Sequence, residues 1–234
     1  MLFLVKCCIN CMLYCFQTFI LFTDIIYNII VLCKIRRDFH DTKKQAYALT
    51  AKNIIAGLKK RNMEGFYFDT KEEAAKAIFD MMEKGTSVAW GGSASVNETG
   101  ILNMLEQDGS FEMIDRMKAQ TPEERREVFG KTAMSDYFFM STNAITLDGE
   151  MINIDGNGNR VAALIHGPQH VFIIAGMNKV VKDVEDGVRR TRVAACPPNA
   201  VRLGRQTPCG LAGKCADCLA PDCFCNQIVV TRRS

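Results

Sequence analysis

The sequence predicts an α/β domain, and three observations carry that prediction. A short apolar strand, Thr86-Ser87-Val88-Ala89-Trp90, leads through the turn Gly91-Gly92-Ser93 into a helical pattern from Asn97 to Gln107, the strand–turn–helix unit of a parallel sheet. His170 to Ala175 is a continuous apolar run of the buried-strand kind. Between them, Ala144-Ile145-Thr146 and Met151-Ile152-Asn153-Ile154 flank Asp148-Gly149, which inserts one hairpin into the alternation of strands and helices.

The remaining elements follow in order. From Asp38 to Asn62, apolar residues recur at helical spacing (Tyr47, Ala51, Ile54, Ile55, Leu58), and Lys59, Lys60 and Arg61 suit the carboxyl end of that helix. Gly65-Phe66-Tyr67-Phe68 reads as a short strand. Asp69-Thr70-Lys71-Glu72-Glu73 then opens a helix that stops at Gly85, with a capping residue followed by carboxylates in the first turn. Thr121-Pro122-Glu123-Glu124 starts another helix, with proline at the first helical position. Tyr137-Phe138-Phe139-Met140 is strand, the turn Asp155 to Asn159 leads to a small helix, and Val180 to Arg192 is helical. Residues 1–38 form an apolar N-terminal segment, 39–195 the α/β domain and 196–234 a cysteine-rich metal-binding tail.

Length and charge bound the function. At 234 residues, 48% of them hydrophobic, the chain buries one sizeable core. A formal charge of +3 with scattered basic residues excludes a nucleic-acid partner. Residues 1–33 are almost wholly apolar and precede Lys34, Arg36 and Arg37, as in a membrane anchor spanning residues 16–33. Asp24 and Asn28 interrupt that run, and the segment equally resembles translated upstream sequence or a core helix. The expected location is the cytoplasm, or the membrane if the anchor is real.

Three constellations could carry chemistry. Gly91, Gly92, Ser93, Ser95 and Asn97 lie between a strand and a helix, where glycines admit a ligand and free N–H, hydroxyl and amide groups cradle an anion; a plain capped turn is the alternative. The spacing is neither a dinucleotide fingerprint nor a phosphate-binding P-loop. Asn143, Asp155, Asn159, Arg160, Asn178 and Lys179 fall at strand ends or turns, where an open α/β sheet places its ligand crevice. Asp155 does not begin an EF-hand, since the distal Glu is missing. His166 and His170 are separated by Gly167-Pro168, which breaks the helix that a zinc pair would need. No serine or cysteine nucleophile motif is present.

The third constellation is the tail. Six of the eleven cysteines fall in the last forty residues, while none lies between Cys33 and Cys196. Cys209, Cys215, Cys218, Cys223 and Cys225 supply more than the four thiolates that zinc or an iron–sulfur cluster needs, and their spacing does not choose between the two. Thiol clusters of this kind read as metal ligands in a reducing compartment.

Several of these segments together resemble the LUD (lactate utilisation) domain family in its stand-alone form with a cysteine-bearing C-terminus. They are Gly91 to Gly100, Ser141 to Ala163, Gly167-Pro168, Ala175 to Val181 and Ala195 to Leu203, and the resemblance covers residues 42–234. It implies a Rossmann-like sheet with flanking helices, similar to the sugar-phosphate isomerase and CoA-transferase group. It also implies a bacterial role in oxidising lactate to pyruvate beside iron–sulfur and oxidase-like partner subunits, with a small carboxylate or acyl ligand. Catalytic residues are not implied, so enzyme and non-enzyme readings both stand. The alternative is a small-molecule-binding or regulatory protein with a structural zinc tail; an isomerase or transferase acting on CoA or sugar phosphate rests on fold analogy alone.

Overall fold

A computed structural model describes residues 42–234. Two units are distinguished, Met1–Ala48 and Leu49–Ser234. The described part of the first, residues 42–48, is helical, with Lys43 Nζ 5.5 Å from the centre of the Tyr47 ring. The anchor reading of residues 16–33 lies outside the described residues. Among the described residues no helix is long and apolar enough to cross a membrane.

The second unit starts with α1 (residues 49–60), α2 (Lys71–Met81), β1 (Ser87–Trp90), α3 (Ala94–Thr99), α4 (Ile101–Asp108) and β2 (Glu112–Ile114). It continues with α5 (Pro122–Ala133), β3 (Tyr137–Met140), β4 (Ala144–Thr146), β5 (Met151–Asp155), α6 (Asn159–Ile165) and β6 (His170–Ile173). The last elements are β7 (Val180–Val181), α7 (Val184–Arg190), a π-helical stretch over Thr191–Ala195, α8 (Cys196–Arg202), α9 (Pro208–Ala212) and β8 (Gln227–Thr231).

Two four-stranded sheets result. The first runs β2-β1-β3-β6 with every pair parallel. Its central strand β3 is apolar throughout because both faces are covered. Tyr137 and Phe139 pack with Val88, Val96, Ile101 and Leu105 beneath α2, α3 and α4, whereas Phe138 and Met140 pack with Ala89, Ile114 and Ala163 on the other face. Period-two alternation thus feeds two cores from one strand. The sheet is α/β and doubly covered, as the sequence predicts. The second sheet runs β7-β4-β5-β8, in which β5 pairs antiparallel with both β4 and β8. Asn153 in β5 is fully buried with neither side-chain amide atom hydrogen-bonded.

Caps fall where the sequence places them. Thr70 accepts from the Glu73 amide, and Thr121 with Glu124 forms a complete capping box. Several expectations need correcting. Residues 63–68 form no strand; Phe66 is 58% exposed, and the segment finds no ladder. The helix expected over Asn97–Gln107 starts at Ala94 and is split in two by Gly100, whose φ of 74° places it in the left-handed region. His170 to Ile173 is an edge strand with an exposed first residue, not a buried central one. Val180 and Val181 pair with β4 before the helix begins behind the Asp183 cap. The tail contains two helices and ends in β8, which joins the second sheet.

The hairpin turn at Asp148-Gly149 seats on α1, and this contact sets how closely helix and sheet approach. A methyl group at Gly57 would overlap the backbone carbonyl of Asp148, and Gly149, with φ of 90°, faces the Leu58 amide. Arg61 then ties the same turn to the C-terminal strand: Nε donates to Asp148 O at 2.8 Å, Nη1 to Arg232 O at 2.8 Å, and Nη2 pairs with Glu150 at 3.1 Å. Because the obstacle is backbone, it cannot rotate away, and Gly57→Ala should cost about 1–3 kcal/mol through overpacking. Urea unfolding should show this, while Gly130→Ala in α5, with open space around it, should be neutral or stabilising. Equal midpoints for the two variants would contradict the close packing.

Candidate functional site

In the parallel sheet the chain leaves β1 toward β2 on one side and returns to β3 on the other. The strand order therefore reverses between β1 and β3, the place at whose carboxyl ends open α/β sheets bind their ligands. Lys179 lies there. Its Nζ donates to Ser95 Oγ at 2.8 Å and to Ser141 Oγ at 2.6 Å, joining the segment after β1 to the segment after β3. Ser141 Oγ in turn donates to Ile174 O at 2.5 Å, just beyond β6. Gly92, Ala175, Gly176 and Asn178 are exposed, while Lys179 itself is half-buried.

Two arginines brace this point. Arg160, at the start of α6, donates from Nη1 to Ser141 O at 3.2 Å, and from Nη2 to Asn143 Oδ1 at 2.9 Å and Ile154 O at 2.7 Å. Its Nε meets Asp155 Oδ2 at 3.4 Å, and Asp155 Oδ1 caps the turn by accepting from the amides of Asn157 and Gly158. Arg190, at the end of α7, donates from Nε to Asn178 O at 3.1 Å and from Nη1 to Asn143 O. Gly91 leaves room for the Arg160 stem, and a methyl group at Gly92 would meet the Arg116 guanidinium. The glycine pair therefore admits arginine side chains.

Electrostatics follow from this crowding. Lys179 is pushed from 10.5 down to about 8, first by burial, then by Arg190 and Arg160, with Glu98 pulling the other way. Burial also lowers Arg160, against the opposing effect of Asp155, and lowers Arg190. Asp155 is committed to Arg160 and the turn, so positive charge is left over near Lys179.

Of the residues singled out in the sequence, Gly91, Gly92, Ser95, Asn143, Asp155, Arg160 and Lys179 come together in this cluster, with Asn178 contributing its carbonyl. Ser93 spends its hydroxyl capping α3 on the Val96 amide, Asn97 is exposed on that helix, and Asn159 is simply the first residue of α6. Ser141, Arg116 and Arg190 were not foreseen. Ser141 carried a signal, since it begins the Ser141-Thr142-Asn143 segment at a strand end. The arginines did not, because they reach the site from distant helical turns.

The tail thiols form a second, looser group. Cys196 and Cys225 sulfurs lie 3.4 Å apart, Cys223 Sγ accepts from the Cys225 amide at 3.5 Å, and its own thiol points at Cys218 O at 3.6 Å. Cys196 is the unforeseen member. The hydrogen bond from Cys225 pulls it below the ordinary thiol value, against burial and the neighbouring Cys209, Cys215 and Cys223. Cys225 is driven up by the same bond, by burial and by the neighbouring Cys196. Among the described residues no three His, Cys, Asp or Glu side chains stand together as a finished ligand set. A cavity of about 520 Å³ lies between α7 and the tail, lined by Glu185, Val188, Arg192, Cys215 and Asp217 among others, and shares no residue with the Lys179 cluster.

A family model described as the LUD domain matches residues 51–234. No curated protein matches the chain. Among solved structures the chain is similar to ribose 5-phosphate isomerase from Plasmodium falciparum, at 18% identity and a TM-score of 0.30, over 48% of this chain and 52% of that one. The match thus spans about half the length of that isomerase.

The shift of Lys179 has a thermodynamic sign. Below pH 8 both folded and unfolded states are protonated, and the folded state bears the full cost of the confined charge; above 10.5 neither is protonated and the cost is gone. Between these values the unfolded chain holds more protons, so Lys179 makes stability rise with pH. Urea titrations at pH 7.5 and 10.5 should therefore show the difference between the natural chain and Lys179→Met moving in favour of the natural chain as pH rises. A difference that stays constant would mean the amine titrates as it does in water.

Proposed function

The chain belongs to the LUD domain family, and we propose that it serves a lactate-oxidising redox system by holding a small carboxylate or acyl anion at Lys179. The observation that supports this reading is the Ser95–Lys179–Ser141 bridge at the sheet's reversal point, bordered by Arg160 and Arg190. Cations drawn together at a solvent-facing crevice repel one another, and an incoming anion relieves that repulsion. Arg190 has N–H groups beyond those it spends on Asn178 and Asn143. It is the natural clamp for a carboxylate.

Calorimetric titration of the full chain with lactate, pyruvate and inorganic phosphate tests this. Loss of one charged hydrogen bond costs about 1.5–3 kcal/mol, so Arg190→Ala and Lys179→Met should each weaken carboxylate binding by roughly 10- to 150-fold. Absence of heat with every anion would overturn the reading.

For the tail we propose a metal site, zinc or an iron–sulfur cluster, that Cys196 joins. Two thiolates on one tetrahedral zinc at 2.3 Å stand about 3.8 Å apart, and the Cys196–Cys225 separation of 3.4 Å is close to that. Cys209, Cys215, Cys218 and Cys223 are the remaining donors to draw in. Exposed Leu203, Leu211 and Leu219 beside them suit partner subunits of the redox system, and six free thiols suit a cytoplasmic setting. Protein purified without oxygen should hold metal in a fixed ratio, with visible absorption if it is iron–sulfur, and Cys196→Ser should lower that ratio. Metal-free protein with a folded tail would refute the site; colourless, zinc-loaded protein would leave the zinc tail with a structural role only.

A further inference from the structure

We propose that Lys179 captures 2-oxo acids covalently, its ε-amine condensing with the ligand's carbonyl carbon while Arg190 holds the adjacent carboxylate. The inference rests on the anion reading above and goes beyond it, because a site that only held carboxylates would need no reactive amine.

The geometry carries it in three steps. Lys179 Nζ is fixed between two hydroxyls, at 2.8 Å from Ser95 Oγ and 2.6 Å from Ser141 Oγ, so it cannot swing freely as a surface lysine does. Arg190 Nε donates to the carbonyl of Asn178, the residue before Lys179, and its guanidinium is near enough to act electrostatically on the amine. A 2-oxo acid has its carbonyl one bond from its carboxylate, so a clamp next to an amine presents the carbonyl carbon for attack. Arg160 contributes by position and field alone, since its hydrogen bonds go to Asp155, Ser141, Asn143 and Ile154. The lowered proton affinity of Lys179 agrees with this role: an amine that titrates near pH 8 is substantially neutral, and hence nucleophilic, under mild conditions.

The step balances without an oxidant or reductant. The amine nitrogen forms a bond to the carbonyl carbon, its surplus proton passes to the carbonyl oxygen to give a carbinolamine, and that oxygen then departs as water with a second proton from nitrogen, leaving the C=N bond. Ser95 and Ser141 hydroxyls lie in reach to relay both protons. A 2-hydroxy acid has no carbonyl, so it binds through its carboxylate alone. The site therefore distinguishes the reduced acid from the oxidised one by a covalent bond.

The test is reductive trapping. The full chain is incubated with pyruvate, treated with borohydride and examined by intact mass spectrometry and peptide mapping, with lactate as the control. The expected result is one reduced pyruvate adduct on Lys179, none with lactate, and a trapping rate that climbs as pH rises from 7 toward 8. Arg190→Ala should raise the pyruvate concentration needed for half-maximal trapping about tenfold or more. Mapping on the natural chain depends on no variant folding. If pyruvate binds by calorimetry but no adduct forms, or adducts scatter over exposed lysines, covalent capture is wrong and the anion site survives. If no carboxylate binds at all, both fail together.

Discussion

The constraint on which the structure depends is that the chain must pass from one sheet to the other twice, side by side. Strands β3 and β6 are parallel neighbours in the first sheet, and β4 and β7 are parallel neighbours in the second. Residues 141–143 and 174–179 make the two crossings. At that point the backbone ladder is interrupted, and its carbonyls and amides still require partners. Side chains supply them: Ser141 reaches Ile174 O, Thr142 Oγ1 reaches Ala144 O and Ile152 O, Asn143 Oδ1 accepts from the Ile154 amide, and Arg190 grips Asn143 O and Asn178 O. Polar groups gather here because the fold needs them, and the crevice inherits their chemistry.

That origin sorts the cations. Arg160 is a structural brace whose charge is largely answered by Asp155, 3.4 Å away. Arg190 is half committed and Lys179 is held only by hydroxyls, neither of which brings a negative charge. The surplus therefore resides on the two groups with donors to spare. A fold that needed only bracing would have closed the balance with a second carboxylate, and Glu98, the acid that acts on Lys179, stays exposed on α3. The proposed anion site would draw on this open positive balance at the sheet's reversal point.

Much of this was legible in the sequence because it depends on local pattern. The strand into Gly91-Gly92, the Thr70 and Thr121 caps and the Asp148-Gly149 hairpin each carry their cause within a few residues. So does the placing of Asn143, Asp155, Arg160 and Lys179 at strand ends. What was not legible depends on pairing at a distance. β2 has three residues and exists because β1 offers it an edge; β7 has two and exists because β4 does; β8 is recruited from the tail by β5. Gly65 to Phe68 has strand composition but joins neither sheet, so it forms no strand. Arg190 enters the site from the last residue of α7, about two helical turns beyond the Asp183 cap, and no local signal marks it. The same holds for Cys196, whose counterpart Cys225 lies 29 residues on.

Cys196 and Arg190 lie on a single helical path. From Val184 to Arg202 the chain stays helical through α7, the π-helical stretch and α8. Pro197 and Pro198 lack the N–H groups that a regular α-helix would use to bond back four residues, and the widened turn over Thr191–Ala195 accommodates them without breaking the path. Arg190 ends the segment that faces Lys179, and Cys196 begins the one that faces Cys225. Thr191, fully buried between them, hydrogen-bonds back to Val188 O at 2.7 Å and fixes the rotation of the path at that point. One continuous helical path thus carries both Arg190 of the Lys179 cluster and Cys196 of the thiol group.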